Sequence, residues 1–378
     1  MSTMTERRSG ARVTLASAVS HAQDGRAAVG ELAEALGPHA DVYAVFVAPG
    51  YDLDAVGGAI RDAFGERAIG CTSSGNITAD GYDSRGVCAV ALTGGGLRAR
   101  TIVLRPLHDA VAAVEQAGAQ LMALRSEIAG QDGFAILLAD GLARREDTLA
   151  ATLMATLGDV PVIGGSAGDG LEFRRTAVYH DGGFTDDCAT VTFVGSDAPF
   201  RLLRLQHHEA TETVLVATDV DPEQRIIHTL NGQPAAEAYA DAVNQPLQHI
   251  TPATFSRHPL LLGAGGSSWV RSIAEARPDG SLRMLARVDL GDVLRLGEST
   301  GMLERLDEGI AAVRADLGSL GGMLVFDCVL RRLESEERGL ADRMGGLLAA
   351  NHAAGFSTYG EQFNGMHMNQ TLVAVAFG

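Results

Sequence analysis

Asp41-Val-Tyr-Ala-Val-Phe-Val-Ala-Pro-Gly50 is the stretch from which the rest of the chain can be read. A near-continuous apolar run ending in a Gly turn is the pattern of a strand buried on both faces. An amphipathic helix, Leu53–Phe64, follows, and then Ala68-Ile-Gly-Cys-Thr-Ser-Ser-Gly75, a strand that runs into a small-residue loop. The same order returns further on. Asp132-Gly-Phe-Ala-Ile-Leu-Leu-Ala-Asp-Gly141 is followed by a helix over 147–157 and by Val162-Ile-Gly-Gly-Ser-Ala-Gly168. After each loop the chain makes another apolar strand, over 87–93 in the first copy and 189–194 in the second. Two copies of strand–helix–strand–loop–strand predict an α/β protein of two domains, with mixed sheets, covering helices and internally duplicated units.

Working outward, residues 1–10 are polar and read as loose; a strand over 13–19 and a helix over 25–36 follow. A long helix over 109–129 joins the two copies, with Val111, Val114, Leu121, Leu124 and Ile128 at roughly helical spacing. Strand-like runs at 200–205 and 214–218 lead to the turn Asp221-Pro222, where the domain boundary is placed. The expected division is a lead-in over 1–30, a first domain over 31–220 and a second over 221–378. In the second domain, strands are expected at 226–232, 270–276, 282–288 and 323–330, and helices at 235–243, 300–317 and 336–351. Residues 245–259 read as irregular. The chain closes in the apolar run 372–377, a buried strand.

At 378 residues with 46% hydrophobic composition, the chain can bury a sizeable core, and its 46 glycines fit the turns and close packing of α/β proteins. A net charge of −17, with basic residues only in short pairs such as Arg144-Arg145 and Arg331-Arg332, repels phosphate backbones and anionic lipid. Nucleic-acid and membrane-surface roles are therefore not expected. No apolar run reaches the roughly 20 residues a membrane span requires, and no signal peptide is evident. Four scattered cysteines without CxxC spacing exclude a zinc ribbon and covalent haem attachment. They read as reduced thiols in a cytoplasmic protein.

The chemistry-bearing residue types form no enzyme signature. Gly164 to Gly170 lacks the spacing of a phosphate-binding loop and reads as tight turns. Cys71 has no basic neighbour to activate it, and no Ser lies in GxSxG. His207-His208-Glu209 and His180-Asp181 contain ligand types, but neighbours on a strand point apart, which argues against one shared ion. Asp186-Asp187 and Glu334, Glu336 and Glu337 read as solvated charges, whereas Glu361 is placed to face a pocket. His367 stands between Met366 and Met368 before the last strand. Two readings of it remain open: an imidazole that caps a strand by hydrogen bonds, and an imidazole that serves a haem. Alternation would set His367, Asn369 and Thr371 on one face and Met366, Met368 and Gln370 on the other.

Several of these segments together resemble a known family. Ile69-Gly-Cys-Thr-Ser-Ser-Gly75 leading to Gly81-Tyr82, and Val162-Ile-Gly-Gly-Ser-Ala-Gly-Asp-Gly170 with His180-Asp-Gly-Gly183, resemble the N-terminal FIST domain. Leu230-Asn-Gly232 with Pro234-Ala235 and Tyr239, then Phe326-Asp-Cys328, Tyr359-Gly-Glu361 and Asn369-Gln-Thr371, resemble the FIST C-terminal domain. The resemblance spans roughly residues 30–375. It implies an intracellular sensory module without turnover of its own, which binds a small ligand and acts on a partner signalling enzyme. The narrower resemblance, to the haem-binding nitric-oxide sensors called NosP, implies a b-type haem ligated by His367. For such a haem the apolar residues Met366, Met368, Phe363 and Phe356 are expected to form the pocket, Asn369 or a backbone carbonyl to take the second ring nitrogen, and Arg331, from its charge, to meet a propionate; the resemblance implies a histidine kinase or cyclic-di-GMP enzyme as partner. The alternative within the family is a haem-free module for a metabolite such as an amino acid. Association into a homo-oligomer is left open by the sequence.

Overall fold

The computed structural model describes residues 11–128 and 132–378; the expected polar lead over 1–10 and the expected extension of the long helix to Ala129 lie outside the described residues. The repeated unit of the sequence occurs three times in the body. In each copy four strands run in the same order across a mixed sheet. The first sheet is Val13–Ser20, Val87–Gly94, Val42–Val47 and Ala68–Thr72; the second is Arg98–Leu104, Ala189–Ser196, Asp132–Ala139 and Val162–Ser166. The third, whose residue match is weak, is Phe200–Gln206, Thr371–Phe377, Gly322–Cys328 and Ala353–Thr358. In every copy the last two strands named are parallel and the other pairs antiparallel.

Packing explains why one glycine recurs. Gly70, Gly164 and Gly355 stand beside Val45, Leu137 and Val325 of the parallel neighbour, where an added Cβ would lie 2.2, 1.8 and 1.8 Å from the neighbour's carbonyl oxygen. Only glycine allows that approach. The reading of Gly164 to Gly170 as tight turns is thereby corrected: Gly164 and Gly165 lie inside the strand Val162–Ser166, and only Gly170 has a positive φ, 73°.

Helices Gly25–Leu36 and Leu53–Phe64 cover the first sheet, Ala110–Ile128 and Glu146–Leu157 the second, and Met302–Leu317 and Ala341–Ala349 the third, each over its own apolar cluster. The opposite faces meet in one central core that includes Phe46, Phe134, Phe326, Phe356 and Phe377. Short hairpins interlock the copies. The hairpin Asn76–Thr78/Gly81–Asp83 of the first copy pairs with Ala353–Thr358 of the third. Val178–His180/Gly183–Thr185 of the second pairs with Ala68–Thr72 of the first. Glu361–Phe363/Met366–Met368 of the third pairs with Val162–Ser166 of the second. The exchange is cyclic, so sheets are shared by residues on both sides of 220.

Between the first strand of the third copy and its helix Met302–Leu317 lies an insert with an eight-stranded sheet, the helices Ala235–Ala242 and Pro252–Arg257, and its own core around Leu215, Ile227, Tyr239, Phe255 and Leu294. Here local reading fell short. Residues 245–259 contain the helix Pro252–Arg257, capped by Thr251 and Thr254 in a reciprocal box. Val293–Ser299, a strand at the centre of the insert, carries too mixed a pattern to be seen in the sequence. The run 270–276 is split into Ser267–Arg271 and Ile273–Ala276 at opposite ends of the sheet, and 282–288 shortens to Leu282–Met284.

The strand expected over 323–330 stops at Cys328, and a helix, Val329–Glu337, begins at once. The helix expected over 336–351 is two helices. Gly339 (φ 65°) closes the first, with its N–H on Glu336 O at 3.0 Å and Leu340 N–H on Ser335 O at 2.7 Å, the Schellman pattern of a helix end. Among the described residues no helix is long and apolar enough to cross a membrane.

Candidate functional site

A cavity of about 400 Å³ lies between the insert and the body. The body contributes residues just beyond the carboxyl ends of its parallel strands: Gly141 and Leu142 after Asp132–Ala139, Val329 and Leu330 after Gly322–Cys328, and Tyr359 after Ala353–Thr358. Ligands of open α/β sheets are held at those strand ends, because the loops there are free to vary while the sheet is fixed. The insert supplies the opposite wall with Phe255, Ile273, Met284 and Leu285. A largely apolar cleft of this size with a few converging polar groups is the form of a small-molecule site.

The polar groups are held firmly. Gln370 has φ 52° and closes one side; its Oε1 accepts from Ser272 Oγ at 2.8 Å and its Nε2 donates to Ser256 O at 2.9 Å. Arg225, 7% exposed, donates to Glu146 Oε2 at 2.5 Å, to Asp147 Oδ2 at 3.2 Å and to Leu285 O at 2.6 Å. Tyr359 hydrogen-bonds to Asp169 and stacks on Phe173, ring centres 4.6 Å apart. Burial, reinforced by that carboxylate, raises its phenol well above the usual range. At the rim Arg144 is exposed and makes no ion pair among the described residues, and Glu275 pairs with Arg283 at 3.1 Å. Cations, a carboxylate, hydroxyls and an apolar wall thus share one cleft. That mixture suits a small amphipathic molecule carrying charge at one end.

His367 is not part of the cavity lining. It is 1% exposed, on the strand Met366–Met368, directly opposite Gln362, whose Nε2 lies 3.1 Å from His367 Nδ1. Burial lowers its pKa, against the attraction of Glu146 and Asp147. Its carbonyl accepts from Arg271 of the insert. Asn369, expected to serve the imidazole, donates instead to Tyr359 O at 3.3 Å, and Gln362 takes the role. The expected alternation of faces through 366–371 also ends early, because the strand stops at Met368 and Gln370 is left-handed.

The seven residues expected around a haem are not assembled into one pocket. Met366 and Phe363 face each other across the hairpin, while Met368 is fully buried. Phe356 is stacked on Phe46 at 4.4 Å inside the central core. Arg331 is 1% exposed and paired with Asp327 at 3.0 Å. His367 Nε2 has no hydrogen-bond partner, as an axial ligand would require. Yet Gly360 lies against that edge of the ring: a Cβ on Gly360 would sit 2.3 Å from Cε1 and 3.0 Å from Nε2. A flat macrocycle needs open space there, so these residues as arranged do not fit a haem.

Other expected positions also resolve. Glu361 does not face the cavity; it is fully buried, accepts from Thr358 Oγ1 and from Thr371 N–H and Oγ1, and burial pushes its carboxyl up to about 8. All four cysteines are buried and free. Glu334, read as solvated, is 2% exposed, and His207 and His208, read as pointing apart, converge with ring centres 4.0 Å apart. The two strands meet at His207, so the alternation rule does not hold across the junction. The residues that sequence reasoning missed, Arg225, Ser256, Ser272 and Phe255, carry no motif, and their place around the cavity shows only in the folded chain.

Comparison with family models matches residues 41–233 to the FIST N domain and residues 235–364 to the FIST C domain. Comparison with curated proteins gives no match.

Proposed function

The chain belongs to the FIST family, whose domains form a sensory signal-transduction module, and from that premise we propose that its cavity binds a small metabolite such as an amino acid. The observation that carries this reading is the cavity of about 400 Å³ closed jointly by the two FIST parts, with Arg144, Arg225 and Glu275 at or near its polar end. A ligand that touches both walls favours the closed arrangement over any other by its differential contacts. Occupancy is then passed to a partner, a histidine kinase or cyclic-di-GMP enzyme, whose basic patch meets a chain of net charge −17. The protein has no turnover in this scheme.

A thermal-shift screen of amino acids and related zwitterions tests the reading. A ligand at 100 times its Kd stabilises the folded chain by about 2.7 kcal/mol. Ala274→Trp, which fills the cavity from the insert, should abolish the shift; a shift that survives this change refutes the site.

The unpartnered Nε2 of His367 favours a second reading, haem bound through that nitrogen and a response to nitric oxide. It requires Gly360 and its neighbours to move aside. Reconstitution with haemin separates the two: a Soret band lost in His367→Ala supports haem, and an unchanged haemin spectrum removes it.

A further inference from the structure

On the far side of Ser256 from the cavity, the junction of two strands and one helix brings together a set of side chains with metal-ligand chemistry. His207 lies between Phe200–Gln206 and His208–Asp221, and Glu334 lies on Val329–Glu337. All three are buried, at 1%, 2% and 2% exposure. Their ligand atoms lie within 4.8 Å of one another, a spacing found among the described residues only for this set. We propose that His207, His208 and Glu334 bind one divalent ion of the zinc class, through His207 Nε2, His208 Nε2 and Glu334 Oε2.

The distances carry the argument. Two ligand atoms at the roughly 2.0–2.2 Å of zinc–nitrogen and zinc–oxygen bonds stand about 3.3 Å apart when tetrahedral. His207 Nε2 is 2.9 Å and His208 Nε2 3.9 Å from Glu334 Oε2, on either side of that value. Small rotations of two imidazoles would centre an ion among them. The ion would displace the proton now shared between His207 and Glu334, and His208 Nε2 would leave Ser256 O, 3.0 Å away, for the metal. Ser256 O or a water then completes the fourth position.

Glu334 Oε1 is anchored by Arg338 at 3.0 Å and Ser299 Oγ at 3.4 Å, which turns Oε2 toward the imidazoles, as outer groups orient metal-bound carboxylates. The main chain of His207 is fixed by Thr300, whose N–H and Oγ1 donate to its carbonyl at 2.7 and 3.1 Å. Arg338 and Arg331 add positive charge nearby, which holds affinity below that of a site with a second carboxylate.

The test uses the full chain stripped with a chelator and titrated with zinc by calorimetry and with cobalt(II) by visible absorption. One ion per chain is expected, with intense cobalt d–d bands of tetrahedral type. Glu334→Gln keeps the shape of the side chain, and both it and His207→Gln should weaken binding more than tenfold and remove the bands. His108→Ala, on the exposed surface, should change neither. Circular dichroism of each variant establishes that it is folded. A stripped wild-type chain that binds no zinc, or folded Glu334→Gln and His207→Gln chains that keep wild-type affinity and bands, would overturn the assignment.

Discussion

The Arg225 guanidinium lies 2.5 Å from Glu146 Oε2 and ties the insert to the body across the floor of the cavity. Both partners are buried, and Asp147 joins them at 3.2 Å. Burial opposes the charge on Asp147, but His367, Arg271 and Arg225 outweigh it and hold its carboxyl below the usual range. Arg225→Ala leaves buried carboxylates without their cation. A loss of about 3–5 kcal/mol is expected, read from the urea midpoint; Arg225→Lys should not restore it, because one ammonium cannot span Glu146, Asp147 and Leu285 O. A loss below about 1 kcal/mol would mean that the pair is solvated.

Glu361 predicts a pH dependence. The folded chain holds its proton up to about pH 8, whereas an ordinary Glu releases it near 4.5. Between those values the unfolded chain binds fewer protons, so this group makes stability fall as pH rises, by at most about 1.4 kcal/mol per pH unit. The effect is flat below the lower value and above the upper one. Glu361→Gln should gain on wild type steadily from pH 5 to pH 8. Parallel stability profiles for the two proteins would show that Glu361 ionises freely.

The recurring glycine gives a graded series. Gly164→Ala puts a methyl 1.8 Å from Leu137 O, and Gly355→Ala does the same at Val325 O. Each should cost at least about 1–3 kcal/mol, since backbone cannot yield as a side chain can. Gly30→Ala, in a helix with nothing within 4 Å of the added carbon, should instead stabilise by about 0.5–1 kcal/mol. Chemical denaturation of the three variants decides whether close approach or chain entropy governs these positions.

The thiols should be silent in the native state. All four cysteines are buried, and burial pushes Cys88 and Cys188 up to about 12. Alkylation at pH 8 should label none in the folded protein and all four after denaturation without reductant. Fewer than four would reveal a disulfide.

The sequence alone determined the local elements. The apolar runs Val42–Val47 and Asp132–Ala139 and the amphipathic pattern of Leu53–Phe64 declare strand and helix through periodicity, which each segment carries without help. Of the motif segments Tyr359-Gly-Glu361 and Asn369-Gln-Thr371, Tyr359 and Gln370 line the cavity. Tertiary structure decided the rest. The third copy is only weakly echoed in the sequence, because its residues diverge and an insert interrupts it; the sheet order and Gly355 against Val325 establish it. Hairpin exchange among the copies is a matter of sheet edges, which the pattern within one strand does not specify. The site follows the same rule: Arg225 reaches Glu146, and Glu334 reaches His207, only because distant segments pack together. Long-range pairing leaves no period in a sequence, so the candidate sites had to be read from the folded chain.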